Sequence, residues 1–273
     1  MEDAFREAKF VDTHCHLDYE PLFESVEAVL HRAHAVGVEQ CVSVGTDLKT
    51  SQTSVALAHR FPRVRAAVGF HPHEAHMLTE DVLAAIDDLA ADPVVVAIGE
   101  VGLDYHRTAE HATAQQRALR RFVAIAQRRG LPLILHCRDA YQGLLELLED
   151  AAKDSLPGVI HCASGPSSFI QQALALGLHV SFAGNVTFRN AQAIRNLVPC
   201  VPDDRLLIET DAPFLAPEPM RGKPNEPAYV AHTAAYLARL RGVGVEALGQ
   251  MTTRNARQLF RLFEPLCQPR GNF

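Results

Sequence analysis

Eight short apolar or β-branched runs, each leading into a longer stretch of helical period, constrain this chain more than any other feature. The runs fall at residues 9–12, 39–44, 64–69, 94–98, 132–135, 158–160, 178–182 and 205–208. Apolar spacing predicts helices at 22–36, 48–60, 80–90, 114–129, 141–152, 168–176, 190–198 and 227–241. Repeated units of roughly 25 to 50 residues, with no linker-like stretch dividing them, argue for one closed α/β barrel of the (β/α)8 TIM type. The 273 residues then form a single domain, 1–273. An open doubly wound sheet would carry a glycine-rich phosphate turn after its first strand, and histidines stand there instead. Local punctuation is read the same way: Thr113-Ala114-Gln115-Gln116 as a capping box, and Pro166 as a first helical residue.

Composition narrows the function classes. With 48% hydrophobic and 21% charged residues the chain is an ordinary globular one. No apolar run approaches the ~18 residues of a membrane helix, and the acidic start Met1-Glu2-Asp3 is unlike a signal peptide, so a cytoplasmic protein is expected. Lys and Arg number 26 against 32 Asp and Glu, a net charge of -6, so an anionic substrate has to be attracted locally. The six cysteines, Cys15, Cys41, Cys137, Cys162, Cys200 and Cys267, include no Cys-x-x-Cys pair and read as reduced thiols. Fourteen histidines raise the question of a metal.

His14 and His16 follow the first strand as Asp12-Thr13-His14-Cys15-His16. Strand side chains alternate, so both imidazoles share one face, toward the barrel mouth, while Cys15 faces the helix layer. Cys137 and Cys162, each directly after a histidine, are expected to do the same. Glu100, His136, His161 and Asp211 stand at the ends of the fourth, fifth, sixth and eighth strands. In barrel enzymes those ends form the active face, which brings distant residues into one ring. A lone histidine there is more often a packing residue. Six nitrogen and oxygen donors together exceed one tetrahedral Zn²⁺ and suit two dications ~3.5–4 Å apart, bridged by a carboxylate that we assign to Glu100. Zn, Mn, Mg, Ni and Fe all accept such donors.

These residues lie in motifs that resemble the TatD family of metal-dependent deoxyribonucleases and hydrolases, within the amidohydrolase-like barrels. The resemblance rests on Asp12-Thr13-His14-Cys15-His16, Gly69-Phe70-His71-Pro72, Gly99 through Tyr105, His136-Cys137-Arg138-Asp139-Ala140, His161-Cys162, Glu209-Thr210-Asp211-Ala212-Pro213 and Asn225-Glu226-Pro227. It implies that His14, His16, Glu100 and Asp211 hold one ion, and that Glu100, His136 and His161 hold the other. Two departures stand out: Ala163 replaces a usual aromatic residue, which should widen the cleft, and Pro224 replaces a basic residue, which removes one phosphate contact.

The resemblance implies removal of nucleotides from DNA ends, 3' to 5'; the expected chemistry uses a metal-activated water as nucleophile, with Asp211 and Glu100 as catalytic residues. Glu209, two positions before Asp211, should fix a ligand histidine. His71, Tyr105, Arg107, Arg138, Arg221 and Lys223 are the expected substrate-binding groups. Residues 212–227 hold five prolines and should form a stiff loop over the site. His31, His34 and His59 are expected on helix surfaces, and His73, His76, His106 and His111 in loops on the active side. The same site could hydrolyse an amide, ester or lactone of a small molecule, and a non-catalytic, metal-stapled binding module is a third reading. No membrane and no obligate protein partner are expected.

Overall fold

A computed structural model of the protein describes residues 8–151 and 156–262. The N-terminal stretch 1–7, Ala152 at the end of the fifth predicted helix, and Cys267 lie outside the described residues. Strands β1 (Phe10–Cys15), β2 (Val38–Val44), β3 (Val64–Val68), β4 (Val95–Asp104), β5 (Leu133–Arg138), β6 (Gly158–Ile160), β7 (His179–Phe182) and β8 (Leu206–Ile208) pair in parallel in chain order. Helices α1 (Val26–Ala35), α2 (Leu48–Arg60), α3 (Glu80–Leu89), α4 (Ala112–Arg129), α5 (Tyr141–Ala151), α6 (Ser167–Ala175), α7 (Gln192–Arg195) and α8 (Val230–Arg241) follow the strands in turn. This is the expected barrel. Parallel strands need such crossovers, since each must be re-entered from the same end.

The ring closes between β8 and β1 by an isolated bridge, Cys15 to Ala212. The Asp211 amide donates to the His14 carbonyl at 2.9 Å, and the His16 amide to the Ala212 carbonyl at 2.7 Å. Deeper in the seam the buried Asp12 carboxylate accepts from the Thr210 amide (2.9 Å) and hydroxyl (2.6 Å). Burial pushes the Asp12 carboxyl up to about 8, against the pull of those bonds. The seam sets His14 and His16 beside Asp211.

Val11, Val44, Ala67, Ala97, Ile134, Val159 and Leu207 belong to one apolar cluster drawn from seven strands, filling the barrel interior. Ala256, Leu259 and Phe260 join it from α9 (Val245–Phe260), a helix absent from the sequence-based expectation. Asn255 on α9 donates to the carbonyls of Asp203 (2.7 Å) and Leu206 (2.9 Å), and Thr253 to that of Lys9 (3.0 Å). Thus α9 plugs the end of the barrel opposite the mouth.

Three local expectations fail. Thr113 lies inside α4, and Gln115 bonds the end of β4 instead: its Nε2 donates to the carbonyls of Asp104 (3.0 Å) and Thr108 (2.9 Å), and its Oε1 accepts from the Asp104 amide. The capping box belongs to α2, between Asp47 and Thr50. Pro166 is the residue before α6, one position earlier than expected. The seventh helix shrinks to the single turn α7. Among the described residues no helix is long and apolar enough to cross a membrane.

Candidate metal centre

Two of the strands that supply the site are irregular where they supply it. β1 shifts register against β2 between Asp12 and Cys15, and β4 against β5 between Ile98 and Val101. A bulge rephases the alternation and re-aims side chains, so His14 enters the mouth although Val11, three residues earlier, already faces the interior. β4 also runs six residues beyond its predicted end, to Asp104, leaving Glu100 mid-strand.

All six expected donors converge. His14 Nε2 and His16 Nε2 face each other at 3.2 Å, and Asp211 Oδ1 lies 3.7 and 3.5 Å from them. The two oxygens of Glu100 divide between groups. Oε2 lies 3.5 Å from His14 and 3.8 Å from His16, while Oε1 lies 2.8 Å from His136 Nδ1 and 2.8 Å from His161 Nε2. His71, expected to touch substrate, also approaches Oε1, at 3.4 Å. The trios His14–His16–Asp211, His14–Glu100–His161 and His71–Glu100–His136 each offer ligand atoms within 4.8 Å of one another.

Electrostatics hold the knot together. Burial would raise the carboxyl of Glu100, but His161 and His71, with the contacts of His136 and His14, outweigh it and hold Glu100 well below the usual carboxylate range. Asp211 is lowered in the same way, chiefly by His16. Burial lowers His14, whereas Asp211 and Glu100 overcome burial at His16 and raise it to about 9. Carboxylates ionised at neutral pH beside convergent imidazole nitrogens are the donor set that divalent cations require.

A shell of fixed groups stands behind the donors. Glu209 Oε1 faces His161 Nδ1 at 3.3 Å and accepts from the Cys162 amide at 2.7 Å, as its spacing led us to expect. Asp104, missed as a site residue, is fully buried. Its Oδ2 faces His136 Nε2 at 3.0 Å and His73 Nε2 at 2.8 Å, and its Oδ1 accepts from the amides of His106 (3.0 Å) and Arg107 (2.9 Å). The signal that could have found it is parity: Asp104 lies four residues beyond Glu100, with the chain still extended.

The mouth is a cavity of about 1100 Å³ whose walls include His71, Arg107 and Arg138. Tyr105 lines a neighbouring cavity of about 440 Å³ between α5 and α6, where its hydroxyl accepts from Gln116. The Arg221 guanidinium lies over the Phe188 ring at 3.8 Å, and Lys223 is exposed on the same loop; neither lines the mouth. Two cleft expectations are corrected. Ala163 is buried and is not among the residues that wall the mouth. Cys162 does not face the helix layer: with φ at 46° after β6 ends, strand alternation no longer applies, and its sulfur accepts from Asn185 at the mouth. Cys15 packs in the apolar layer as expected, while Cys137 joins that layer and also borders the mouth.

Comparison with known proteins agrees with this geometry. A family model described as TatD related DNase matches residues 11–261. The chain is 40% identical over 251 residues to the metal-dependent hydrolase YabD of Bacillus subtilis strain 168, covering 92% of this chain and 98% of YabD. It is 40% identical over 240 residues to the 3'-5' ssDNA/RNA exonuclease TatD of Enterobacter lignolyticus, covering 86% and 92%. The crystal structure of YjjV, a TatD homologue from Escherichia coli K12, superposes with a TM-score of 0.89 at 30% identity, covering 94% of this chain and all of that one. By its barrel, its convergent donors and a family match spanning nearly its whole length, the chain belongs to the TatD-related DNase family.

Proposed function

We propose that this protein is a two-metal hydrolase that removes nucleotides from the 3' ends of DNA. The observation that carries the two-metal part is the division of Glu100: one oxygen serves His14 and His16, the other His136 and His161. On this reading His14, His16, Glu100 and Asp211 hold one ion, and Glu100, His136 and His161 the other. Zn, Mn, Mg, Ni or Fe would suit the mixed imidazole and carboxylate donors. Bound dications lower the pKa of water toward ~7 and offset charge on phosphoryl oxygens.

The chain's own residues do the rest. The Asp211 side chain is 15% exposed, against 5% for Glu100, so it is the carboxylate more open to solvent. Held ionised by His16, it orients the attacking water and accepts its proton. Glu209 and Asp104 fix the rings of His161 and His136. Arg107 and Arg138, exposed on the cavity wall, take the substrate phosphate. A recessed cavity at the barrel mouth suits a strand end better than continuous duplex. A relative named for 3'-5' exonuclease action on ssDNA and RNA supports the direction and substrate.

The test is to load the protein with metal and assay it on end-labelled single-stranded and duplex DNA beside a panel of lactones and N-acyl compounds. Stepwise loss of 3' nucleotides is expected. Turnover of the carbonyl substrates alone overturns the proposal. Glu100→Ala and Asp211→Asn should each abolish metal-dependent hydrolysis while keeping the circular dichroism of a folded barrel.

A further inference from the structure

Six large apolar side chains are exposed among the described residues, and four of them, Tyr19, Phe23, Met77 and Phe214, stand on segments that leave the C-terminal ends of strands around the mouth. Tyr19 and Phe214 form a pair. Their ring centroids are 5.9 Å apart at 74°, and they lie 5.4 and 6.1 Å from the ring of His16. Both line the cavity, yet they remain 37% and 49% exposed.

We propose that Tyr19 and Phe214 form a stacking ledge for the base of a nucleotide flanking the scissile phosphate. This rests on the nuclease reading above and adds how the substrate is recognised.

The pair is held rigid by the metal centre's own backbone. Tyr19 lies three residues past His16 and donates its amide to the His16 carbonyl at 3.2 Å. Phe214 lies three past Asp211 and donates to the Asp211 carbonyl at 2.8 Å. Fully buried Asn225 locks that turn, donating its side-chain amide to the carbonyls of Thr210 (2.8 Å) and Phe214 (2.5 Å). The Tyr19 hydroxyl reaches Thr46 at 3.5 Å. Little ordering cost then remains when a ligand arrives.

The occupant follows from the chemistry of the walls. Arg107 and Arg138 stand on the β4–β5 side, the aromatic pair on the β1–β8 side, and the donor knot between them. A ligand matching all three has an anionic centre and a flat, apolar-faced ring joined to it. A nucleotide has both. Stacking on an aromatic ring reads the face common to all bases, so the ledge favours unpaired strands without choosing a sequence.

The experiment uses metal-loaded protein and short single-stranded oligonucleotides, either normal or carrying one abasic residue on either side of the bond to be cut. On normal DNA, Tyr19→Ala with Phe214→Ala should raise KM on the order of tenfold, with the effect in KM rather than kcat, because stacking is equal in ground and transition states. An abasic residue at the stacked position should cost wild type a similar factor, and there the double substitution should add nothing further. Phe214→Trp should keep a low KM on normal DNA. Equal KM for wild type and the double variant on normal DNA, or a difference that persists whichever of the two positions is abasic, overturns the ledge alone. Wild type that cleaves no oligonucleotide overturns the nuclease reading and the ledge together.

Discussion

Replacing Asp104 by asparagine tests whether the buried carboxylate behind His136 matters to the metal centre. The substitution keeps shape and removes charge. Asp104 accepts two imidazole contacts on Oδ2, His136 at 3.0 Å and His73 at 2.8 Å, and two backbone amides on Oδ1. In the variant the amide oxygen can keep the two backbone bonds, which turns the amide NH₂ toward both imidazoles. An NH₂ group only donates, so His136 Nε2 must become an acceptor and its ring proton must move to Nδ1. Nδ1 is the atom that faces Glu100 at 2.8 Å, and a protonated nitrogen offers no lone pair to a metal. Loss of such an outer partner typically weakens metal binding ~10–100-fold, or ~1.4–2.7 kcal/mol. Calorimetric titration of the metal-free protein with Zn²⁺ or Mn²⁺ should therefore show one weakened site in Asp104→Asn. Unchanged affinity at every site would refute the argument.

Gly102 adopts φ of 153°, and a Cβ there would be driven into the His136 carbonyl oxygen. Gly102→Ala should cost ~3 kcal/mol, lowering the melting temperature by roughly 6–12 °C, and an unshifted thermal melt would contradict this. His179, buried at the start of β7, is lowered to about 4 by burial and then by Arg205. Its ordinary value is ~6.5, so its contribution to stability is complete above that pH and is lost as pH falls from there toward 4, by up to ~1.4 kcal/mol per unit. Urea unfolding at pH 7.5 and 5 should show a smaller pH dependence in His179→Gln than in wild type; an equal dependence would assign it elsewhere.

The sites missed or misread share a cause. The helical period of α9 is legible in Leu248, Met251, Ala256 and Leu259, but nothing in a linear pattern says that a helix with no following strand should plug a barrel. Asp104 reads locally as the residue after a strand. Only the extension of β4, paired through Asp104 to Arg138 of β5, brings it under His136. Arg221 is near the mouth in sequence pattern only: its guanidinium lies over the ring of Phe188, thirty-three positions earlier, and is not among the cavity walls.

Strand and helix alternation, and the placement of His14, His16, Glu100, His136, His161 and Asp211 near strand ends, were fixed by the order of residues alone, because burial period and chain direction are local properties. Which atoms face which was decided in three dimensions. Register shifts in β1 and β4 aim His14 and Glu100, the β8–β1 seam sets Asp211 against both histidines, and the two turns beyond His16 and Asp211 carry Tyr19 and Phe214 together. Contacts across nearly two hundred positions depend on the angular closure of the whole sheet, and no window of sequence contains that quantity.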